Sequence, residues 1–220
     1  MSQYPTIEYQ LKHLSDDKRK ILDHIPHIGE IEGWILLEEA VELYDLCSGM
    51  RSDGPIVCEI GSWKGKSSYV LASAIKDRKG TLYCVDPFNG DGDAASVDTY
   101  KAEMKKMDVS LQVNFERTMN QYSLSDYIMI LPFESRIARS KFSGSKIDLL
   151  FIDGNHEYDS VKNDFDLWSP LIPSGGYIVF HDVGAVHVDG PKRVFEEVIS
   201  DKSKWKNPRV VGEMGIAEKV

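Results

Sequence analysis

A short apolar segment, an acidic residue and a glycine-bearing turn stand together in the first third of this chain. Residues 56–60 read Ile-Val-Cys-Glu-Ile, and Gly61 and Gly65 follow directly. From Ser67 the apolar residues recur at a spacing typical of an amphipathic helix. A strand, a tight turn and a helix N-terminus in this order form the corner of an α/β sheet that holds nucleotide-like ligands. Glycine suits such a turn because the backbone can approach a ligand without a Cβ atom in the way.

The glycine spacing separates the classes of ligand that such a corner can hold. A dinucleotide fingerprint needs G-x-G-x-x-G, but Ser62 and Trp63 occupy the positions where further glycines would lie. A phosphate-binding P-loop needs G-x-x-x-x-G-K-[ST], and the stretch from Gly61 to Ser67 is one residue short of it. A P-loop NTPase is therefore an alternative interpretation, in which Lys66 and Ser67 would bind phosphates.

The pattern that fits without a gap is E-x-G-x-x-x-G, formed by Glu59, Gly61 and Gly65. It resembles the first motif of class I S-adenosylmethionine-dependent methyltransferases. Of the three patterns this one is favoured, and it predicts a methyl donor at the corner.

Composition excludes several other classes of function. The chain has 220 residues and a net charge of −9, and an acidic protein is poorly matched to a nucleic-acid backbone. No apolar run reaches the roughly 20 residues of a membrane-spanning helix. The first five residues lack the layout of a signal peptide, and the three cysteines lie in apolar surroundings that suit reduced thiols. We expect a cytoplasmic protein with no nucleic-acid or membrane partner.

Strand and helix patterns alternate along the rest of the chain. The predicted strands cover residues 56–60, 81–86, 127–131, 148–153, 177–181, 209–213 and 215–219. Helices are predicted in the N-terminal segment after residue 15 and from 36 to 47, and then near 67–76, 97–107, 111–122, 160–168 and 191–200. Such alternation is typical of a parallel sheet with helices on both faces.

The last two predicted strands are too close in sequence for a helical crossover, so they must form a hairpin with one antiparallel strand. We therefore predict a single α/β domain over residues 1–220. It has a Rossmann-like, doubly wound and mostly parallel seven-stranded core over 55–220, and an N-terminal helical segment over 1–54.

Two acidic residues end the first two strands of this predicted sheet. Ligands of doubly wound sheets bind outside the carboxyl ends of the strands, where Glu59 and Asp86 both lie. A carboxylate at Asp86 can accept hydrogen bonds from both ribose hydroxyls of an adenosine. The alternative role for Asp86 is to cap the turn before Pro87.

A second group of polar residues ends the fourth and fifth strands. Asp153 follows one strand, and His181 and Asp182 follow its predicted neighbour. Two carboxylates and an imidazole at one edge are costly unless a cation or hydrogen bonds compensate their charge. Oxygen ligands suit Mg²⁺, whereas an imidazole shifts the preference towards Mn²⁺, Fe²⁺ or Zn²⁺. The group is either a divalent-metal site at Asp153, His181 and Asp182 or a hydrogen-bonded loop network without metal.

Several stretches in succession extend the resemblance over residues 32–219. They are Glu32-Gly33-Trp34, the turn from Glu59 to Gly65, Val85 to Phe88, Ile152 to Tyr158 and Pro173 to Asp182. Together they are similar to small bacterial class I methyltransferases of the cephalosporin-biosynthesis and macrolide-sugar O-methyltransferase group.

That resemblance implies both the cofactor and its site. S-adenosylmethionine would be bound by Glu59, Gly61, Ser62, Gly65, Asp86, Ser135 and Asp153. A divalent metal, Mg²⁺, Mn²⁺ or Fe²⁺, would be held by Asp153 and the pair at the end of the fifth strand. The departure is His181, because the relatives carry an acid there. Asp153, His181 and His156 are the predicted catalytic residues, with either histidine a candidate general base.

The predicted reaction is transfer of a methyl group from S-adenosylmethionine to a hydroxyl oxygen of a small molecule, with assistance from the metal. Acceptor specificity is expected from the N-terminal segment and from residues 88–108, where aromatic side chains can wall a pocket: Trp63, Phe88, Tyr100 and Trp168. Besides the NTPase, a binding protein that has lost catalysis is a competing interpretation. A homo-oligomer is compatible with the sequence.

Overall fold

The computed structural model describes residues 5–220, and residues 1–4 of the predicted N-terminal segment lie outside the described part. The helices are α1 Ile7–His13, α2 Asp16–Leu22, α3 Leu37–Ser48, α4 Lys66–Ile75, α5 Val97–Met104, α6 Leu111–Gln121, α7 Ser135–Lys141, α8 Tyr158–Trp168 and α9 Gly190–Ser200. The strands are β1 Ile56–Ile60, β2 Thr81–Val85, β3 Ile128–Leu131, β4 Leu149–Ile152, β5 Tyr177–Phe180, β6 Trp205–Val211 and β7 Met214–Lys219.

The strands of the described residues form one seven-stranded sheet in the order β3-β2-β1-β4-β5-β7-β6. Strands β1 to β5 pair in parallel, whereas β7 is antiparallel to both β5 and β6. The order reverses at β1, since β2 lies on one side of it and β4 on the other. The predicted Rossmann-like fold and its antiparallel C-terminal strand are confirmed.

Helices cover both faces of the sheet because alternate strand residues point in opposite directions. Val57, Leu149 and Phe151 pack on the side of α3, α4 and α6. Cys58, Leu150 and Ile152 point to the other face and pack on the side of α7, α8 and α9. All three cysteines are buried as free thiols, as their apolar surroundings indicate.

The sequence prediction missed two helices, α1 and α7, and the first residues of β6. α1 and α7 are each only seven residues long, and α1 buries none of its residues. β6 begins at Trp205 instead of at residue 209. The strand contains Pro208 next to a register shift and Asn207 at a φ of 52°, and an edge strand tolerates such an irregularity. Between residues 5 and 220, every helix is too short or too polar to cross a membrane.

Candidate functional site

A cavity of about 1050 Å³ opens at the carboxyl ends of β1, β2, β4 and β5. The turn after β1 and the loops after β2, β4 and β5 form its floor, and the N-terminal segment and α5 form walls. Its position is the one expected for a ligand of a doubly wound sheet, at the point where the strand order reverses. The volume is large enough for a nucleoside-sized ligand together with a small second molecule.

Two glycines shape the turn after β1. Gly61 has a φ of 89°, and a Cβ atom there would lie 2.0 Å from the carbonyl oxygen of Asp153. Gly65 has a φ of 91°, and its Cβ would come within 2.6 Å of Met119. Both values lie in the left-handed region that favours glycine. Gly61 is thus required by the close approach of the β4 loop, and Gly65 by the packing of α6.

Glu59 lies beneath this turn and is fully buried. Its Oε2 accepts hydrogen bonds from the hydroxyls of Ser62, at 2.7 Å, and of Ser68. Within residues 5–220, its Oε1 is the single buried side-chain oxygen or nitrogen without a hydrogen-bond partner. Glu59 therefore holds the turn from below, and one of its oxygens is still available to accept a bond.

Burial raises the pKa of Glu59 from 4.5 to about 7, against the opposing hydrogen bonds from Ser67, Ser68 and Ser62. Between pH 4.5 and about pH 7, Glu59 is ionised in the unfolded chain but still holds its proton in the folded protein. The free energy of unfolding should therefore fall as the pH rises through this window, by up to roughly 3 kcal/mol from this residue. Glu59→Gln is expected to remove that part of the pH dependence, which urea unfolding at pH 4 to 8 measures. Parallel profiles for the two proteins would disprove it.

Asp86 follows β2 and faces the same turn. Its Oδ2 accepts the backbone N–H groups of Ser62 and Trp63, each at 2.9 Å, and its Oδ1 accepts that of Phe88 at 2.6 Å. Burial raises the pKa of Asp86, although these three N–H groups stabilise the carboxylate. The predicted turn cap is therefore present, and the lone pairs that it leaves free can still accept a ligand hydroxyl.

Ser135, at the start of α7, lines another part of the cavity. Its Oγ accepts the indole N–H of Trp168 at 2.9 Å, and its hydroxyl also bonds to Asp164. Burial raises the pKa of Asp164 to about 6. Sequence reasoning missed Asp164 because it lies within a helix, whereas the search for ligand-binding acids followed the strand ends.

Asp153, His181 and Asp182 meet on the other side of the turn, as predicted from adjacent strands. One ligand atom from each lies within 4.8 Å of the others. The Nδ1 atom of His181 is 3.2 Å from Asp153 Oδ1 and 3.0 Å from Asp182 Oδ2. Asp182 has a φ of 57°, which is uncommon for a residue with a side chain and recurs at functional sites.

Two further acids complete this group, and the sequence prediction missed both of them. Glu39 of α3 lies 3.3 Å from His181 Nε2. Asp93 lies 2.7 Å from His156 Nδ1, while His156 Nε2 is 3.0 Å from Asp182. The resulting polar cluster consists of Glu39, Asp93, Asp153, His156, His181 and Asp182. No motif marks Glu39 or Asp93, since each comes from a segment remote in sequence from the ends of β4 and β5, which carry the rest of the cluster.

The carboxylates determine the protonation of the two histidines. Burial alone would favour neutral rings, but the surrounding acids raise the pKa of His156 to about 9 and that of His181 well above its usual range. The paired imidazoles hold the pKa of Asp182 far below its ordinary value, despite burial, whereas burial raises that of Asp153. With all six groups ionised, four carboxylates oppose two imidazolium ions, and the polar cluster carries a charge of −2.

This donor set fits a divalent cation in type, number and charge. Asp153, His181 and Asp182 supply two oxygens and one nitrogen that converge on one point of the cavity. A metal ion binds only the neutral imidazole, so His181 must release its ring proton when it acts as a ligand, and the negative charge of the polar cluster that is left favours a divalent ion. The same six side chains also satisfy one another through hydrogen bonds.

The aromatic wall differs in part from the predicted one. Trp63 and Tyr100 line the cavity together with Trp34, with ring centroids 5.0 to 5.6 Å apart. Phe88 instead packs on Phe115 in the core, and Trp168 is fully buried. These two were wrongly placed in the pocket because an apolar ring suits a core equally well.

Lys66 is the residue that would bind phosphates in the alternative P-loop interpretation. It is half-buried, its stem packs against Gly33, and its Nζ donates to the Gly33 carbonyl at 3.3 Å. Burial lowers the pKa of Lys66. Its amine is thus bound to the N-terminal segment rather than placed over a phosphate-binding loop.

Comparison with known proteins identifies the family. A family model described as a methyltransferase domain matches residues 58–183, more than half of the chain. The chain belongs to this methyltransferase family. The matched residues include the turn after β1, Asp86 and the strand ends that carry the polar cluster. The predicted methyltransferase family is confirmed, and the P-loop alternative is not supported.

Solved structures of methyltransferases share the fold. The O-methyltransferase NovP is 17% identical, with a TM-score of 0.68 over 84% of this chain and 81% of NovP. The O-methyltransferase TomG from Streptomyces achromogenes, solved in complex with S-adenosylmethionine, is 13% identical, with a TM-score of 0.59 over 97% and 95% of the two chains. At these identities the likeness concerns the fold.

A relative by sequence is the uncharacterized protein R132 of Acanthamoeba polyphaga mimivirus. It is 29% identical over 140 residues, which cover 64% of this chain and 57% of R132. The match thus spans little more than half the length of that relative. The methyltransferase assignment rests on the family model and the fold.

Proposed function

We propose that this methyltransferase transfers the methyl group of S-adenosylmethionine to a hydroxyl oxygen of a small molecule. One observation carries the proposal: the glycine turn and the polar cluster open into a single cavity, and Asp153 belongs to both. Its carbonyl contacts the turn at Gly61, while its carboxylate contacts His181. A donor in the turn would therefore lie beside the groups that can orient and deprotonate an acceptor. The O-methyltransferase neighbours in fold support an oxygen acceptor.

The donor half of the cavity supplies polar groups for each part of the nucleoside and its tail. We assign the ribose to Asp86, and the base to the region of Ser135 and Asp164, which lie together beside the turn. The turn itself, with Gly61 and Ser62, would contact the amino-acid portion. Glu59 and Gly65 support this turn from beneath and from the side of α6.

The acceptor half would use the residues of the polar cluster. Asp153, His181 and Asp182 would hold a divalent cation, which when bound lowers the pKa of a hydroxyl group and fixes its direction. The imidazole favours Mn²⁺, Fe²⁺ or Zn²⁺ over Mg²⁺. Glu39 orients His181 through its Nε2 atom. The cluster contains all three predicted catalytic residues. Of these, Asp153 would accept the proton of the acceptor hydroxyl, because His181 would bind the cation and both ring nitrogens of His156 already face carboxylates.

Acceptor choice is assigned to the walls over this half of the cavity. Trp34, Trp63 and Tyr100 offer ring faces for an apolar or ring-shaped acceptor. Trp34 comes from the N-terminal segment and Tyr100 from α5, two of the regions expected to set specificity, whereas Trp63 belongs to the turn after β1. We also propose a small-molecule acceptor, in line with the family resemblance. From composition we propose a cytoplasmic location and no nucleic-acid partner.

Parallel calorimetry with S-adenosylhomocysteine, ATP and NAD tests the donor assignment. We expect binding of S-adenosylhomocysteine alone. A panel of hydroxylated acceptors with methyl-labelled S-adenosylmethionine then tests the reaction. ATP binding would instead favour the NTPase, and donor binding without transfer to any acceptor would favour a protein that has lost catalysis.

Asp86→Ala is expected to weaken S-adenosylhomocysteine binding by roughly 1.5–3 kcal/mol, the scale of hydrogen bonds to a charged group. Because the change also removes three hydrogen bonds within the turn, the 2′-deoxy analogue of the ligand isolates the ribose contact. The analogue should bind wild type less tightly, and the difference between the two ligands should vanish in the variant. Calorimetry of both ligands on both proteins measures this. An unchanged difference would remove Asp86 as the ribose ligand.

A further inference from the structure

The segment of residues 89–104, which ends with α5, forms one wall of the cavity but has few apolar anchors. α5 itself buries none of its residues. The segment contributes Tyr100 to the aromatic wall, and its Glu103 lies 3.7 Å from the buried Lys64. A wall held by so few buried apolar contacts depends strongly on its polar links to the rest of the protein.

One such link joins this segment to the strand ends through His156. Nδ1 of the ring lies 2.7 Å from Asp93 of the segment, and Nε2 lies 3.0 Å from Asp182. All three side chains are at least nine-tenths buried, with 8%, 3% and 6% exposed in the order His156, Asp93 and Asp182. Each ring nitrogen faces a carboxylate oxygen, so the ring of His156 bridges the two acids.

The other oxygen of Asp93 organises the segment locally. Oδ1 accepts the backbone N–H groups of Ala95 at 2.8 Å and Ser96 at 3.1 Å. These bonds fix the turn that leads into α5 and so position Tyr100. Oδ1 of Asp93 thus bonds within the wall of the cavity, and Oδ2 contacts His156 of the polar cluster.

We propose that Asp93 is a positioning residue that keeps this wall of the shared cavity closed through its contact with His156, the Asp93–His156 clasp, and that His156 in turn holds Asp182. The inference rests on the proposed function, since it assigns a role within the same cavity. It gives His156 a positioning role through both of its ring nitrogens. Opening of the wall requires the Asp93–His156 pair to separate and takes a hydrogen-bond partner from two buried polar side chains, which is costly. The closed wall is therefore favoured.

The test variant is Asp93→Asn. Its side-chain oxygen can still accept the N–H groups of Ala95 and Ser96, while its amide offers N–H to a ring nitrogen that itself carries a proton. The local turn is kept and the clasp is lost. Asp98→Asn is the matched control, because Asp98 is an exposed acid of the same segment. His156→Gln removes the clasp from the other side.

Hydrogen exchange and ligand release are the measurements. In Asp93→Asn, amides of residues 92–104 should exchange at least about tenfold faster than in wild type, with and without S-adenosylhomocysteine. Dissociation of S-adenosylhomocysteine should be faster by a similar factor. His156→Gln should reproduce both effects, the double variant should add little to them, and Asp98→Asn should match wild type.

Three results would overturn the inference. They are wild-type exchange in Asp93→Asn, additive effects in the double variant, and faster exchange throughout β4 and β5, which would mark a general loss of stability. If wild type fails to bind S-adenosylhomocysteine, the proposed function fails instead, and exchange without ligand still tests the clasp. If Asp93→Asn does not fold, hydrogen exchange of His156→Gln decides: faster exchange confined to residues 92–104 supports the clasp, and wild-type exchange there contradicts it.

Discussion

Asp153→Asn is expected to lower the rate of methyl transfer by about a thousandfold, equivalent to about 4 kcal/mol in activation free energy. The change removes one of the two carboxylates that would hold the divalent cation and the contact to His181 Nδ1 at 3.2 Å. The backbone of residue 153 is unchanged, so its carbonyl still packs against Gly61. Donor binding should therefore be nearly intact, since the turn and Asp86 are preserved.

The measurements are single-turnover methyl transfer, S-adenosylhomocysteine calorimetry and elemental analysis of the purified protein. Asp182→Asn should show the same separation of transfer from donor binding. Glu157→Gln, which changes an exposed acid on the same loop, is the control and should behave as wild type. Full activity of wild type after exhaustive chelation, with no metal in the sample, would remove the cation from the proposal and leave Asp153 as the proton acceptor.

Gly61→Ala should destabilise the protein by roughly 3 kcal/mol or more and abolish measurable S-adenosylhomocysteine binding. The added methyl group would lie 2.0 Å from the Asp153 carbonyl oxygen, which is backbone and cannot rotate away. Either the turn or the β4 loop must move, and both contribute to the donor site. Urea unfolding and calorimetry measure the two effects.

The chain offers a matched control in Gly175. Its φ of 81° is similar to that of Gly61, but nothing lies within 4 Å of the position that a Cβ would take. Gly175→Ala should therefore cost only about 1 kcal/mol, the cost of the left-handed backbone alone. Equal losses of stability in the two variants would mean that backbone conformation, rather than contact with Asp153, explains the effect at Gly61.

The sequence predicts the parallel core well because each strand carries its own local signal. Apolar runs between turn residues mark β1, β2, β4 and β5, and acids at their ends mark the edge where ligands bind. The convergence of Asp153, His181 and Asp182 follows from strand adjacency alone. These predictions use features that lie close together in the chain.

The missed residues depend on packing between distant segments. Glu39 reaches the polar cluster from α3, and Asp93 reaches it from a loop that has no regular pattern. Trp34 joins the aromatic wall through its contacts with Trp63 and Tyr100. Nothing within each segment signals such long-range contacts, so a single sequence cannot distinguish these residues from ordinary surface or core positions.

The contact between Gly61 and the Asp153 carbonyl has a consequence for how the acceptor range of such an enzyme can change during evolution. In the proposed function, the distance from the methyl donor to the acceptor-binding groups would be set by β1 and β4, two neighbouring strands whose register is fixed by backbone hydrogen bonds. Two of the walls that would meet the acceptor, Trp34 and Tyr100, come from the N-terminal segment and α5, outside the sheet. Substitutions in those walls can alter which molecule is methylated without disturbing the alignment for transfer, so new acceptors are accessible by small steps.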